Sequence, residues 1–168
     1  MERLLEGVRV LDLSQIMAGP YCTMILGDFG AEVIKIEKPN GGDDSRETGP
    51  YVNGESTSFF QINRNKKGIV VDLKKEEGKE IFYELAKSAD IIVENYRVGV
   101  TKRLSVDYST VKELNPGIVY CSISGYGQSG PRRDWPAIDN IVQATSGMMS
   151  LGGDPNGPPT RVGLPVVD

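Results

Sequence analysis

Polar and charged residues follow five β-branched runs of this sequence, at the points where strands would end. In order they are Ser14–Met17, Glu37–Lys38, Leu73–Lys74, Asn95 and Ser124–Gly127. In doubly wound sheets the ligand binds at the carboxyl ends of the strands. The set mixes amides, lysines and a glycine turn, and a helix that starts at Gly19–Pro20 adds a partial positive charge. This pattern predicts a site for an anionic ligand with a polar base, and ordinary loop polarity is the alternative.

A dinucleotide site needs a glycine fingerprint between the first strand and the first helix. Residues 14–19 hold a single glycine, Gly19, which disfavours a nicotinamide or flavin site, although Glu37 stands where a ribose-binding acid would. Gly125–Pro131 could form an oxyanion-binding turn or a plain tight loop. Arg132–Arg133 could be a phosphate clamp or a solvated pair. Composition alone favours the plain loop and the solvated pair.

Histidine does not occur among the 168 residues. This excludes Ser-His-Asp and Cys-His catalysis, a histidine base and imidazole zinc ligands. Cys22 and Cys121 are too few and too far apart for a thiolate metal cluster or a CxxC pair, so we expect two buried thiols and no metal. The net charge of −4, without a basic stripe, argues against a nucleic-acid partner.

The sequence gives no sign of a membrane or secretory segment. No apolar run approaches the roughly 18 residues that would span a bilayer. Met1–Gly7 places acidic residues on both sides of two leucines and lacks the apolar region of a signal peptide. We therefore expect a cytoplasmic protein with no membrane partner.

Strands and helices that alternate along the chain must position these residues. The predicted strands are Val8–Leu13, Glu32–Glu37, Gly68–Leu73, Ile91–Glu94 and Ile118–Ile123. Helices are predicted from Ala18 to Gly30, from Glu76 to Lys87 and up to Leu114, and residues 39–54 as a loop. Strands that read as continuous apolar runs are those covered on both faces. The predicted fold is α/β, a Rossmann-like, doubly wound, mainly parallel sheet with helices on both faces.

Longer motifs occur in register along the whole chain. They include Leu5–Ser14, Ala18–Pro20, Leu26–Glu37, Asn63–Lys67, Asp72–Lys74, Asp90–Tyr96, Leu114–Pro116, Ser124–Gly127, Asp139, Gln143–Ala144 and Gly157–Pro159. As a set they resemble the N-terminal part of the class III CoA-transferases. That family includes formyl-CoA transferase, carnitine CoA-transferase and, as a divergent branch, α-methylacyl-CoA racemase.

The resemblance implies that residues 1–168 are the N-terminal, CoA-binding large domain of such an enzyme. It implies a fragment of an interlocked-dimer fold that ends at the catalytic aspartate, without the small domain and the C-terminal return segment of the family. The apolar Val166–Val167 at the end of a tail rich in glycine and proline also suggests a fragment. For the complete protein the resemblance implies a homodimer, and for the fragment alone little or no activity.

The family's CoA site can be carried over position by position onto the predicted strand ends. The corresponding residues are Ile16, Ala18, Lys38, Val71, Lys74, Asn95 and Arg103. The first two would line the pocket beside the first turn. The third stands at the adenosine end, where formyl-CoA transferase has an arginine. The next two match adenine and phosphate contacts, and the last two match the remaining polar contacts. Coenzyme A, carried by an acyl-CoA substrate, is the cofactor that this implies.

The resemblance also places the family's catalytic aspartate at Asp168. A carboxylate nucleophile needs no imidazole and forms an aspartyl anhydride and then an aspartyl-CoA thioester. Met17 and Pro136 differ from formyl-CoA transferase, so we expect an acyl substrate other than formyl. The racemase branch has a histidine beside the acid at Asp139, where this chain has Ile138, which disfavours racemisation.

The predicted function is therefore transfer of CoA from an acyl-CoA thioester to a carboxylic acid acceptor. A non-catalytic CoA- or nucleotide-binding fragment is the alternative. An acyl-CoA racemase and a dinucleotide-dependent oxidoreductase rank below both.

Overall fold

Strands and helices alternate along most of the chain, for which a computed structural model describes residues 3–167. In chain order the strands are β1 (Arg9–Asp12), β2 (Glu32–Glu37), β3 (Tyr51–Val52), β4 (Glu55–Ser56), β5 (Lys66–Val70), β6 (Ile91–Glu94) and β7 (Val119–Ser122). The α-helices are α1 (Ala18–Asp28), α2 (Thr57–Asn63), α3 (Glu76–Lys87), α4 (Val100–Arg103), α5 (Tyr108–Leu114) and α6 (Asp139–Thr145). Short 3₁₀ helices span Asp44–Glu47 and Met148–Ser150. The chain divides into two units, Met1–Ile123 and Ser124–Asp168.

A parallel five-stranded sheet forms the frame of the first unit. Its strand order is β5-β2-β1-β6-β7, so the chain winds outward from β1 in one direction and then in the other. β3 and β4 form a separate antiparallel hairpin. The point where the winding reverses lies between β1 and β6, which is where such sheets open a crevice at their carboxyl edge. The predicted doubly wound α/β fold is confirmed.

Helices cover both faces of this sheet. Adjacent residues of β1 point to opposite faces, as a strand requires. Leu11 packs in a core with Phe82 of α3 and Val111 of α5. Val10 packs in a second core, against which Leu26 of α1 is placed. Because both faces are covered, the sheet's strands read as apolar runs in the sequence.

The end of α1 follows the sequence pattern closely. Gly30 has a φ of 105°, a left-handed conformation that glycine adopts without penalty. Its N–H donates to the carbonyl of Gly27 at 3.0 Å, and the N–H of Ala31 donates to that of Leu26 at 3.1 Å. These two bonds are those of a Schellman motif, which satisfies the last carbonyls of a helix. The chain can then turn at once into β2.

Several elements differ from the sequence-based prediction. The third strand of the sheet, predicted as Gly68–Leu73, is β5, Lys66–Val70, because its ladder with β2 begins at the pair Val33–Lys66. Neither α2 nor α6 was predicted. The two cysteine thiols are free and half-buried rather than buried. Within residues 3–167, none of the helices has both the length and the apolar character needed to cross a membrane.

Candidate functional site

A cavity of about 290 Å³ opens in the first unit, beside the carboxyl ends of β2 and β5. The loop after β6 and helix α4 complete its wall. Its lining residues are Gln15, Ile36, Glu37, Lys38, Pro39, Val71, Asp72, Leu73, Lys74, Tyr96, Val100, Arg103 and Leu104. The cavity lies at the edge of the sheet where the sequence predicted a ligand site. We call it the strand-end cleft.

The strand-end cleft combines apolar surface with three cationic side chains and two carboxylates, Glu37 and Asp72. Val71 and Leu73 are buried and supply apolar surface. Lys38, Lys74 and Arg103 bring three cationic side chains to the same cavity. Lys38 pairs with Asp44, whereas within the described part of the chain no ion pair includes Lys74 or Arg103. The cleft is therefore suited to a flat apolar ring that carries anionic groups, such as a nucleotide.

Four of the residues predicted to bind CoA line this cleft, namely Lys38, Val71, Lys74 and Arg103. The other three lie outside its lining: two lie between the end of β1 and the start of α1, and the third contacts that turn. Ala18 is the first residue of α1, and Ile16 precedes it with a side chain that is 46% exposed. Asn95 follows β6 and contacts that turn. The structure thus brings four of the seven together and sets three beside them.

Asn95 joins the end of β6 to the turn after β1 through two hydrogen bonds. Its Oδ1 accepts from the backbone N–H of Gln15 at 2.8 Å, and its Nδ2 donates to the Gln15 carbonyl at 2.7 Å. Gln15 lines the strand-end cleft and was not among the predicted site residues. Asn95 therefore holds the backbone of a residue that lines the cleft.

The turn after β1 has an unusual backbone that its neighbours hold in place. Ile16 has a φ of 69°, which is costly for a β-branched residue and needs support from its surroundings. Its N–H donates to Oδ1 of Asp43 at 3.0 Å. Gly19 allows close packing here, since a Cβ at that position would lie 2.1 Å from the Cβ of Ser14. The loop that carries Asp43 thus fixes the shape of this turn.

A buried ionic cluster contacts the backbone of the same turn. Lys35 Nζ lies 2.8 Å from Asp43 Oδ2 and 3.8 Å from Asp12 Oδ2, and it donates to the Ser14 carbonyl at 2.8 Å. Lys66 Nζ lies 2.9 Å from Asp12 Oδ2. All four ionic side chains are almost completely buried. We call Asp12, Lys35, Asp43 and Lys66 the buried ionic cluster.

The environment of the cluster changes the pKa values of its members. Burial alone would raise the pKa of Asp12, but the nearby charges of Lys35 and Lys66 bring it below its ordinary value. Burial would likewise raise the pKa of Asp43, which the charge and hydrogen bond of Lys35 hold low. Burial lowers the pKa of Lys66 to about 8, against the opposing attraction of Asp12. The two aspartates therefore remain ionised well below neutral pH.

Arg46 anchors the loop that supplies Asp43. Its Nε and Nη2 donate to Oε2 and Oε1 of Glu37 at 2.7 and 2.8 Å, a bidentate pair at the end of β2. Its guanidinium also lies 3.6 Å from the ring centroid of Phe59. Oε2 of Glu37 in turn accepts from the backbone N–H of Asp43 at 2.9 Å. The end of β2 is thereby tied to the loop that shapes the turn.

In the second unit, α6 holds the segment of residues 162–167. Oε1 of Gln143 accepts from the N–H of Val162 at 2.9 Å, and its Nε2 donates to the carbonyl of Leu164 at 3.3 Å. Oδ1 of Asp139 accepts from the N–H of Val167 at 3.1 Å. Asp168, the predicted nucleophile, lies outside the described residues.

Two other predicted features also lie in the second unit. Gly125 begins a turn in which an added Cβ would lie 1.9 Å from the Cβ of Ala137, so its lack of a side chain is required by packing. Arg132 lies 5.0 Å from the ring centroid of Trp135, and Arg133 pairs with the neighbouring Asp134 at 3.3 Å. Both arginines are exposed, as expected of a solvated pair.

Only weak signals in the sequence pointed to the residues that the prediction missed. Asp12 and Lys35 interrupt strands that are otherwise apolar, and a charge inside such a strand is rarely buried without a partner. Gln143 lies on a helix that was not predicted at all. No spacing rule connects Asp12 with Lys66, which is 54 positions away.

Comparison with known proteins identifies the family. The family model described as CoA-transferase family III matches residues 5–168. The chain is 48% identical over 165 residues to the succinyl-CoA:glutarate CoA-transferase of Mus musculus, covering 98% of this chain and 38% of that protein. It is 49% identical over 158 residues to the acetyl-CoA:oxalate CoA-transferase of Acetobacter aceti, covering 94% of this chain and 41% of that protein.

A solved structure supports the same assignment. A CAIB/BAIF family protein from Brucella suis superposes with a TM-score of 0.93 at 37% identity, covering 98% of this chain and 45% of that one. The chain thus spans less than half the length of the relatives it matches. The family match covers nearly all of its residues. The chain belongs to CoA-transferase family III.

Proposed function

We propose that the full polypeptide containing this chain moves CoA from an acyl-CoA thioester to a carboxylic acid, and that the strand-end cleft binds the nucleotide end of CoA. The observation that carries this proposal is the convergence of Lys38, Val71, Lys74 and Arg103 on one cavity. Val71 offers an apolar surface to the adenine. The three cations face the 3′-phosphate and pyrophosphate of CoA, where charge-assisted hydrogen bonds are strongest.

Asp168 is proposed as the nucleophile, on the basis of the family resemblance. Its carboxylate attacks the thioester carbonyl, the C–S bond breaks, and an acyl-aspartyl anhydride and CoA thiolate form. The thiolate attacks the aspartyl carbonyl of the anhydride, which releases the acyl carboxylate and leaves an aspartyl-CoA thioester. The acceptor carboxylate then attacks that thioester, giving a second anhydride and CoA thiolate. Attack of the thiolate on the acceptor's carbonyl forms the new acyl-CoA and frees Asp168.

We propose a dicarboxylic acid as the acceptor. The relatives described above are named for glutarate and for oxalate, and both are dicarboxylates. Another relative, 42% identical, is a succinate–glutarate CoA-transferase from Agrobacterium fabrum. Succinyl-CoA and acetyl-CoA are the donors to assay first, with glutarate and oxalate as acceptors. A homodimer, which the family resemblance implies, and a cytoplasmic location, which the sequence predicts, complete the proposal for the full polypeptide.

The nucleophile is tested with the full polypeptide and its Asp168→Asn variant. Incubation with donor acyl-CoA followed by hydroxylamine should label Asp168, and the variant should lose turnover by several orders of magnitude. Asp154→Asn, which changes an exposed aspartate of the second unit in the same way, should keep normal turnover. A label at another residue, or normal turnover by Asp168→Asn, would disprove the assignment.

The cleft is tested by removing one of its cations. Lys74→Met should raise the KM for acyl-CoA with little effect on kcat, because a phosphate contact is lost in both ground and transition states. Lys75→Met is the matched control, since Lys75 is the next residue and does not line the cavity. Equal KM values for the two variants would show that the strand-end cleft does not bind CoA.

A non-catalytic CoA-binding module remains the second candidate for the 168-residue chain itself. The lining of the strand-end cleft lies entirely between Gln15 and Leu104, so binding of the nucleotide end does not require the second unit. Calorimetric titration of this chain with CoA should detect binding without turnover. Absence of measurable binding at millimolar CoA would rule the module out.

A further inference from the structure

The segment that leads to the proposed nucleophile is held by two side chains of α6. Asp139 and Gln143 are four positions apart and therefore lie on the same side of the helix. Between them they bond three backbone groups of residues 162–167. Val167, the last residue so held, directly precedes Asp168 in the sequence. We call Asp139 and Gln143 the α6 clamp.

Gln143 is the buried centre of this clamp. Its side chain is completely buried, and both polar atoms of its amide are bonded. Nε2 donates to Asp139 Oδ2 at 2.6 Å and to the Leu164 carbonyl at 3.3 Å, while Oε1 accepts from the Val162 N–H at 2.9 Å. A buried amide that serves two loop backbone groups fixes the course of that loop, because breaking either bond leaves a polar group unpaired.

The Asp139 carboxylate sets the orientation of the Gln143 amide. A carboxylate accepts hydrogen bonds and does not donate them, so it faces Nε2 and leaves Oε1 free to accept from Val162. If the amide turned over, Oε1 would face a carboxylate oxygen and Nε2 would face an N–H donor. The other carboxylate oxygen of Asp139 accepts from Val167. One orientation of the pair therefore satisfies every group at once.

We infer that Gln143, oriented by Asp139, is a positioning residue for the CoA-transfer reaction: it fixes the segment from Val162 to Val167, which directly precedes the proposed nucleophile Asp168 in the sequence. The inference rests on the proposed function, in which Asp168 attacks the thioester. A misplaced nucleophile slows the chemical step while substrate binding elsewhere is unaffected, since about 1 Å of displacement can cost on the order of 100-fold in rate. The proposed CoA contacts lie in the first unit, so the KM for acyl-CoA should not change.

The test uses the polarity of the pair in the full polypeptide. Gln143→Glu sets two carboxylates against each other, and Asp139→Asn can set two amide N–H groups against each other. Each single variant should lower kcat on the order of 10- to 100-fold at an unchanged KM for acyl-CoA. The double variant Asp139→Asn/Gln143→Glu restores one donor facing one acceptor and keeps acceptors for Val162 and Val167. It loses the 3.3 Å bond to the Leu164 carbonyl, so it should recover only part of the lost kcat and still be faster than either single variant.

Asn140→Asp is the matched control, because it adds a charge to the same turn of α6 without a bond to the backbone of residues 162–167. It should keep the parental kcat. The inference is overturned if the single variants keep the parental kcat or change only KM. It is also overturned if the double variant is no faster than the single variants.

Hydrogen exchange in the unmodified protein gives a second test that needs no variant to fold. The amides of Val162 and Val167 should be protected, and exchange at unprotected rates would overturn the inference. Asp168→Asn is assayed in parallel. If that variant turns over normally, the proposed nucleophile is wrong, whereas if it is inactive and the Gln143 and Asp139 variants stay active, the positioning role alone is wrong.

Discussion

β1 and β6 are neighbours in the sheet, and each ends in a buried carboxyl group. Asp12 ends β1 and lies 2.9 Å from Lys66 Nζ and 3.8 Å from Lys35 Nζ. Glu94 ends β6 and accepts a hydrogen bond of 2.8 Å from the N–H of Tyr96. Among the residues that the structure describes, no ion pair includes Glu94. The two strand ends therefore differ in whether a cation faces the carboxylate.

The difference reverses the effect of burial on the pKa. Burial raises the pKa of Glu94, and hydrogen bonds from Ser122 and Tyr96 offset this effect only in part. Burial acts on Asp12 in the same direction, but the two lysines outweigh it and the pKa falls. The end of β1 thus holds a carboxylate whose charge two lysines stabilise, whereas the end of β6 holds a carboxylate whose charged form burial disfavours.

The largest expected effect comes from removing one charge of the buried ionic cluster. Asp12→Asn removes the negative charge and leaves Lys35 and Lys66 close together, with Asp43 as the remaining carboxylate of the buried ionic cluster. We expect a loss of about 3–5 kcal/mol in the free energy of unfolding, as for other buried ion pairs from which one partner is removed. Urea unfolding of the parent and the variant at pH 7 measures the difference.

Glu94→Gln is the control for that change, because it also replaces a buried carboxylate by an amide at the same edge of the sheet. If Asp12→Asn lowers the free energy of unfolding by less than about 1 kcal/mol, the burial of Lys35 and Lys66 does not depend on the charge of Asp12. The pH dependence gives a second check. Since the folded pKa of Asp12 lies below its ordinary value of 3.8, its stabilising effect is complete above that pH and disappears as the pH falls through the folded pKa.

The next largest effect tests the link between the two strand ends. Asn95→Leu removes both hydrogen bonds to the backbone of Gln15 and leaves its N–H and carbonyl unpaired. We expect a loss of about 1–3 kcal/mol in unfolding free energy. Because Gln15 lines the strand-end cleft, the KM for acyl-CoA of the full polypeptide should also rise.

Asn115 provides the control for Asn95. Its Nδ2 also binds backbone, donating to the carbonyls of Ala86 and Ala89 at 3.0 and 2.7 Å, but it does not line the cleft. Asn115→Leu should therefore lose comparable stability and keep the parental KM. If both variants change KM equally, Asn95 has a general structural role and no specific effect on the cleft.

A smaller effect, of opposite sign, is expected at the end of β6. The folded pKa of Glu94 lies above its ordinary value of 4.5, so the folded state binds more protons in the range between these two values. Unfolding free energy should therefore fall as the pH rises through that range, by at most about 1.4 kcal/mol per pH unit. Glu94→Gln keeps an acceptor for Tyr96 and can donate to Ser122, so it should remove this slope and be at least as stable as the parent at pH 7.

Unfolding curves of the parent and of Glu94→Gln between pH 4.5 and 7 measure this contribution. Its sign is the informative part, since Asp12 acts in the reverse direction and below pH 3.8. A parent that gains stability from Glu94 as the pH rises would mean that a cation compensates this carboxylate after all.

Much of the frame could be predicted from the sequence, because apolar runs and helix ends are local signals. β2, α3 and β6 have the bounds that their patterns predicted, and Gly30 ends α1 as expected. The buried ionic cluster could not be predicted, since its charges meet only after the chain has folded. The α6 clamp was missed for a related reason: the partners of Gln143 are backbone groups, and any residue could occupy their positions.

Of the predicted site residues, three that follow strands line the strand-end cleft. Lys38, Val71 and Lys74 follow β2 and β5, and the topology alone brings them to one edge. Arg103 joins them at the end of α4, and it was the resemblance rather than periodicity that predicted it. Asn95 was predicted as a ligand contact, which stays a prediction, and in the structure its amide bonds the backbone of Gln15.

The smallest expected effect extends the comparison to an exposed ion pair. Lys38, which lines the strand-end cleft, pairs with Asp44, and their side chains are 46% and 58% exposed. The pair of Lys35 and Asp43 is its buried counterpart. Lys35 lies three positions before Lys38, and Asp43 directly precedes Asp44. Exposed pairs contribute about 0–1 kcal/mol, so Asp44 competes only weakly with an anionic ligand for the Lys38 ammonium.

Asp44→Asn should release Lys38 and lower the KM for acyl-CoA by about two- to five-fold at low salt, within the free energy of an exposed pair. The gain should shrink as salt screens the cation. Asp28→Asn is the control for net charge, since it removes another exposed pair, with Arg64, away from the cleft. If Asp44→Asn leaves KM unchanged or raises it, Asp44 holds Lys38 in its binding position and does not compete for it. The exposed pair would then resemble the buried pair of Lys35 and Asp43, in which the carboxylate holds the lysine side chain in place.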